Sequence, residues 1–170
     1  SYVNWTNISF ATVLPAGDLE QFKNASTVLL MHFDNATGEN NTFFKDYSQY
    51  LNNGSCGGTF CPVYNKTDYK VGTAALTFDG SDDRINVGDS VFLNITKQIA
   101  IEAWIKPTSS GTDVREGIIE SVSGHDSVNR ILFRQTATIP GNLSIQFSRG
   151  GDNSNWYSRG ITRNVWTHIA

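Results

Sequence analysis

Nine asparagines stand two residues before a Ser or Thr with no proline between: Asn4, Asn7, Asn24, Asn35, Asn40, Asn53, Asn65, Asn94 and Asn142. An Asn-x-Ser/Thr triplet is the acceptor of an N-linked glycan, a bulky and solubilising group that belongs on surface chain. With 16 Asn and 32 Ser plus Thr, counted over 170 residues, chance placement gives about three such triplets. Any one triplet can be incidental, but a threefold excess reads as real acceptors. The chain is therefore expected to carry N-linked glycans and to be secreted to the extracellular space or cell surface.

Two cysteines agree with that placement. Cys56-Gly57-Gly58-Thr59-Phe60-Cys61 closes a short, glycine-softened loop that can reach disulfide geometry, and closing so few residues contributes at most about 2 kcal/mol. A metal site would want further Cys or His nearby, and a redox pair would want the closer C-x-x-C spacing.

Two other groups of residues have chemistry. Trp104, Trp156, Tyr157 and Trp166 are aromatic faces of the kind that sugars stack on. Around Trp156, Arg149, Asp152, Asn153 and Asn155 supply polar partners in what reads as a loop. The weak ligand-binding set is Trp156, Tyr157, Arg149 and Asn153, while Trp104 and Trp166 are expected to fill a core. The carboxylates Asp34, Asp79, Asp82, Asp83 and Asp89 lie near turn signals, and Asp34, Asp82 and Asp83 are kept as calcium candidates, Ca2+ being the one cofactor considered. Asp and Gly are also what turns use, so solvated turn residues are the favoured reading of these acids.

The elements that position these residues read as strands. Ala74, Leu76 and Phe78 fall on one face of one segment, and Ile99, Ile101, Ala103 and Ile105 alternate with Ala100, Glu102, Trp104 and Lys106 in another. Between them, Arg84 to Val87 is a short strand among Asp-Gly turns. Further strands are expected at Thr27 to Phe33, Gly117 to Val122, Asn129 to Gln135, Leu143 to Phe147 and Val165 to Ala170. Residues 1–28 read as an arm or linker, with a weakly helical piece at Leu19 to Asn24. Residues 35–70, polar and rich in Asn, Gly and Thr, read as decorated surface with few buried side chains.

Charged residues are 17% of the chain and the formal net charge is −3. No basic field is present to hold nucleic acid. No apolar run approaches the roughly 20 residues of a membrane helix, so no membrane insertion is expected in this segment.

Several separated motifs carry a family resemblance: Leu29-Leu30-Met31-His32-Phe33-Asp34; Asp46 with Asn53-Gly54; Val71 to Gly80; Ile101 to Pro107; and Val165 to Ala170. Their order resembles a laminin G-like domain of the concanavalin A-like lectin/glucanase superfamily over residues 29–170. The resemblance implies an all-β, antiparallel jelly-roll β-sandwich. Because that family continues with more strands after the Trp-Thr-His-Ile-Ala segment, it also implies truncation at the C-terminal end. The Cys-containing, triplet-rich insert before Val71 and the arm before residue 28 depart from the pattern.

The superfamily holds lectins, adhesion modules, glycosidases and spacers, so fold does not decide function. Its catalytic members set carboxylates along one strand as Glu-x-Asp-x-(x)-Glu, a pattern absent here. Glu102 is alone on its strand, Glu116 and Glu120 flank an apolar pair, and His32, His125 and His168 are not read as members of a catalytic dyad or triad. The expectation is a non-enzymatic module for adhesion or recognition, with carbohydrate or extracellular protein as partner. The alternative is a structural subunit of an extracellular filament, virion or surface coat, self-assembling through residues 1–14.

Overall fold

The computed structural model describes residues 26–95, 99–108, 115–120, 131–139, 142–149, 156–157 and 161–170. The expected arm at 1–28, apart from its last three residues, the helical piece at Leu19 to Asn24, and Asn4, Asn7, Asn24, His125 and Asn153 lie outside them. The described regular structure is ten strands and one 3-10 turn, Val91–Leu93, whose Ser90 Oγ accepts the Phe92 N–H at 3.4 Å. All pairings among the described strands are antiparallel, as expected. The chain divides into two compact units, residues 1–77 with 84–88, and residues 78–83 with 89–170.

In the first unit, β1 (Phe43–Phe44) pairs with β2 (Gly54–Ser55), and β3 (Val63–Asn65) with β4 (Ala75–Thr77). Phe44, wholly buried, sets its ring against Phe33 and Tyr64, with centroids 6.1 and 6.0 Å away, and Ala74 is buried with it. Gly54 has no room for a side chain, because a Cβ there would meet Ile85, Met31 and Phe44.

The hub of this unit is a carboxylate. Asp46 is fully buried, and its Oδ1 accepts the N–H groups of Leu30 and Ser48, each at 2.8 Å. Its Oδ2 accepts the Ser48 hydroxyl and the Asn52 N–H, each at 2.7 Å. Asn52, also buried, donates its side-chain amide to the Val28 carbonyl at 2.8 Å. A buried carboxylate is tolerable only when its lone pairs are filled in this way.

Three expectations are corrected here. Thr27 to Phe33 is not a strand but a single bridge, Met31 to Asp46, because the Leu30 N–H is taken by a side chain instead of a ladder. Residues 35–70 are not merely surface, since Phe44, Asp46, Ser48, Asn52 and Pro62 are buried there. Arg84 to Val87 contributes one bridge, Asn86 to Ser55, with reciprocal N–H···O bonds of 2.8 and 2.9 Å.

In the second unit, β5 (Ala103–Ile105) pairs with β10 (Thr167–Ile169). β6 (Arg115–Glu120), β7 (Ile131–Ile139), β8 (Asn142–Arg149) and β9 (Trp156–Tyr157) form a four-stranded sheet in that order. Ile161 and Ile169 are buried, with Ile101, Ala103, Ile105 and Ile118 packed against them. The alternation read from residues 99–106 thus chooses the core face correctly. Phe78, expected on the Ala74 and Leu76 face, is 48% exposed. Trp156 and Tyr157, expected in a loop, are strand residues paired with Phe147 and Gln146, as suits the β-preference of aromatic residues.

Candidate functional site

The register of β5 and β10 sets Trp104 opposite His168 while Ala103, Ile105 and Ile169 turn to the core. Successive side chains on a strand point to opposite faces, so Glu102 and Trp104 share the outward one. Trp104 is 42% exposed, and its ring lies 5.2 Å from the His168 imidazole at 52° between planes. His168 Nε2 stands 3.7 Å from Glu102 Oε2, both side chains being a little under half exposed. The expectation that Trp104 fills the core is corrected, because it is on the opposite phase from the isoleucines; Trp166 is half-buried.

An exposed indole face flanked by an imidazole and a carboxylate has the composition of a sugar platform. The ring covers the C–H face of a pyranose, and the polar edge groups meet its hydroxyls. Sequence reasoning weighed Trp104 among four aromatic faces and expected it in a core. It missed Glu102 and His168 as its companions, although the alternation of residues 99–106 places Glu102 on the same face and the strand at 165–170 supplies the third member.

A second feature lies in the first unit. Cys56 and Cys61 are disulfide-bonded with Cα atoms 5.3 Å apart, as the loop spacing predicts. Beside the bridge is a shallow cleft of about 250 Å³ lined by Ser55, Cys56, Gly57, Phe60, Arg84 and Asn86. The Arg84 guanidinium stacks 4.1 Å above the Phe60 ring, and the Arg84 N–H bonds the Phe60 carbonyl at 3.0 Å. This stack holds the loop tip and is spent on the protein itself.

The carboxylates divide between the units. Asp79, Asp82 and Asp83 can each bring one oxygen within 4.8 Å of the others, an all-oxygen set of the type a hard cation takes. Their arrangement is also explained by the turn they make: Asp79 Oδ1 accepts the Ser81 and Asp82 N–H groups at 2.8 and 3.3 Å, and Asp83 Oδ2 accepts the Asp79 N–H at 2.7 Å. The Ser81 N–H bond, foremost, holds the exposed Asp79 carboxyl below its ordinary range. Asp34 belongs to the first unit, where Thr73 engages it, and Asp89 is exposed.

Burial pushes the Tyr64 phenol upward, with the Glu39 carboxylate adding to it. It also pushes the His32 imidazole down, against opposition from Asp34 and Glu39. His32 meets the Tyr47 ring edge-on at 4.6 Å, and Lys45 Nζ lies 4.9 Å from the other partner's ring centre, that of Tyr47. These groups are half-buried in the first unit.

The acceptor asparagines fall in varied settings. Asn40 and Asn94 are exposed, Asn65 is half-buried at the end of β3, Asn35 is half-buried with φ 51°, and Asn53 is exposed beside β2. Asn142 opens β8 and Arg149 closes it.

Antiparallel strands with little helix define an all-β protein, and the sequence comparison gives its class. The family described as the concanavalin A-like lectin/glucanases superfamily, laminin G type, matches residues 79–170. The chain belongs to that family, as a laminin G-like domain. Among solved structures, an S-layer domain-containing protein from Clostridium thermocellum is similar in fold, with a TM-score of 0.52 and 19% identity. The match covers 84% of this chain and 62% of that one, so the chain spans less than two thirds of that structure's length. No curated protein matches the sequence.

Proposed function

We propose that the chain is an extracellular, N-glycosylated, non-enzymatic laminin G-like module that recognises carbohydrate on the β5/β10 face. The observation that carries this reading is Trp104, 42% exposed on a strand face, with His168 5.2 Å from its ring and Glu102 3.7 Å from that histidine. The Cys56–Cys61 bridge supports an oxidising compartment, where disulfides persist. The excess of acceptor triplets supports the same compartment. The non-enzymatic part rests on Glu102 being the lone acid of residues 99–106 and on the missing carboxylate run.

Glycan-array binding by the intact chain tests it. Wild type should bind, and Trp104→Ala should lose about tenfold or more in affinity with an unchanged unfolding midpoint. Absence of binding by wild type, or full binding by the variant, removes the reading. Turnover of any glycoside in a substrate panel removes its non-enzymatic part. Repeating the array with a chelator decides whether calcium at Asp79, Asp82 and Asp83 takes part.

A structural subunit of a surface coat is the second reading. It is favoured by the dense acceptor triplets, which shield a surface, and by the same fold occurring in a protein named for its S-layer domain. Concentration-dependent sedimentation, with and without residues 1–14, separates the two: assembly that needs the arm supports the coat.

A further inference from the structure

Four acceptor triplets lie wholly within residues 26–95, and their geometry sorts them into two kinds. In Asn40-Asn41-Thr42, Asn40 Oδ1 accepts the Thr42 N–H at 2.8 Å and the Thr42 hydroxyl at 2.9 Å. In Asn65-Lys66-Thr67, Asn65 Oδ1 accepts the Thr67 N–H at 2.9 Å, the Thr67 hydroxyl at 3.0 Å and the Asp68 N–H at 3.0 Å. The settings are unrelated: one is the tip of a turn closed by Asn40 and Phe43, the other is the exit from β3. Both threonines are exposed. In both, the triplet's own hydroxyl and N–H fix the amide oxygen, which directs the Nδ2 end away from those donors.

The other two differ. Asn53 Oδ1 accepts the Asp46 N–H at 2.9 Å, and Gly54 and Ser55 form β2, paired with Phe44 and Phe43 and bridged through Ser55 to Asn86. An extended strand holds residues two apart at about 6.5 Å, so the Ser55 hydroxyl is drawn away from the Asn53 amide. Asn35 is half-buried with a left-handed backbone, and the Ala36 N–H within its triplet goes to Glu39 Oε2 at 2.9 Å.

We propose that, among the triplets within residues 26–95, Asn40 and Asn65 are the acceptors that the folded domain offers to an N-glycosyl transferase, and that Asn53 is closed once β2 has formed. The inference rests on the reading of the chain as an extracellular glycoprotein and ranks the amides of the triplets compared above. The donor is a sugar activated as a lipid-linked pyrophosphate. Asn Nδ2 bonds to the anomeric carbon as the C–O bond to the pyrophosphate breaks. The lipid pyrophosphate leaves with the electron pair, and the Nδ2 proton passes to a carboxylate of the transferase. Charge that gathers on Oδ1 as the nitrogen loses its proton is met by hydrogen bonds already in place from the threonine.

The test uses the full chain, purified from a host without N-glycosylation and with Cys56–Cys61 oxidised. It is incubated with a lipid-linked oligosaccharide and a single-subunit oligosaccharyltransferase, and occupancy is read site by site by peptide mass spectrometry. Asn40 and Asn65 should fill at least about tenfold faster than Asn53, because strand pairing must open before Asn53 reacts. Short synthetic peptides carrying the three triplets should react at similar rates. Thr42→Ala and Thr67→Ala should each silence only their own site. Equal rates at Asn53 and Asn40 in the folded chain, or glycans elsewhere with Asn40 and Asn65 bare, would overturn the inference. The glycoprotein reading has its own check: the intact mass of natively produced protein before and after glycan removal. No change there defeats that reading and leaves the transferase experiment standing.

Discussion

Thr73 holds Asp34 at two points: its N–H donates to the Asp34 carboxylate at 3.0 Å, and its hydroxyl donates to the Asp34 carbonyl at 2.8 Å. These residues are 39 apart in sequence, so the clamp closes residues 34–73 into one loop of the first unit. It requires glycine next door. Gly72 has φ +75°, and a Cβ there would collide with the Asp34 carboxyl. Gly72→Ala should cost about 3 kcal/mol, combining left-handed strain with a broken clamp. Gly38→Ala, with φ +93° but open space around it, should cost only about 1 kcal/mol. Urea unfolding of the two variants measures the difference.

Asp46→Ala should be more damaging still. It strands the N–H groups of Leu30, Ser48 and Asn52 and the Ser48 hydroxyl in the interior. A loss of about 3 kcal/mol or more follows from unsatisfied buried donors. Asp46→Asn should recover little, since its amide nitrogen would face donors. Ser48→Ala should cost about 1 kcal/mol. Chemical denaturation ranks the three.

Reduction of Cys56–Cys61 should lower stability by about 2 kcal/mol, because the closed loop is short. Thermal unfolding with and without reductant, and of the Cys56→Ser, Cys61→Ser double variant, should give the same shift. A much larger loss would mean that the Phe60–Arg84 stack falls with the bridge.

His32 makes stability depend on pH. Burial holds its folded pKa below the ordinary 6.5, so the unfolded chain binds a proton that the folded chain resists. Its contribution is intact above 6.5 and is lost as pH falls below that value toward the folded pKa. Urea midpoints should therefore drop between pH 7.5 and pH 5, and His32→Gln should flatten that drop.

The sequence shows strand faces better than it shows polar interiors. Ile101, Ala103 and Ile105 announce their core side by alternation alone, and the six-residue Cys56–Cys61 span announces its bridge. Asp46, Ser48 and Asn52 could not be recognised as interior, because Asn, Asp and Ser read as surface by type. Their burial depends on donors such as the Leu30 N–H, 16 residues away. Periodicity carries no record of side chains that cap distant backbone. The same blindness made Thr27 to Phe33 look like a strand: its apolar spacing is right, but its Leu30 N–H is committed to a carboxylate. Trp104 shows the reverse case, where period two was informative and only the habit of placing tryptophan inside obscured it.

The path of the chain between its two units limits how it can be cut. It leaves the first unit after residue 77, returns for residues 84–88, and leaves again. A fragment beginning at residue 79, where the family match begins, would carry off Asn86 and leave Ser55 as a bare strand edge in the piece left behind. Cleavage between residues 77 and 84 should therefore leave two fragments that remain associated, since the bridge from Ser55 to Asn86 joins them without a covalent bond.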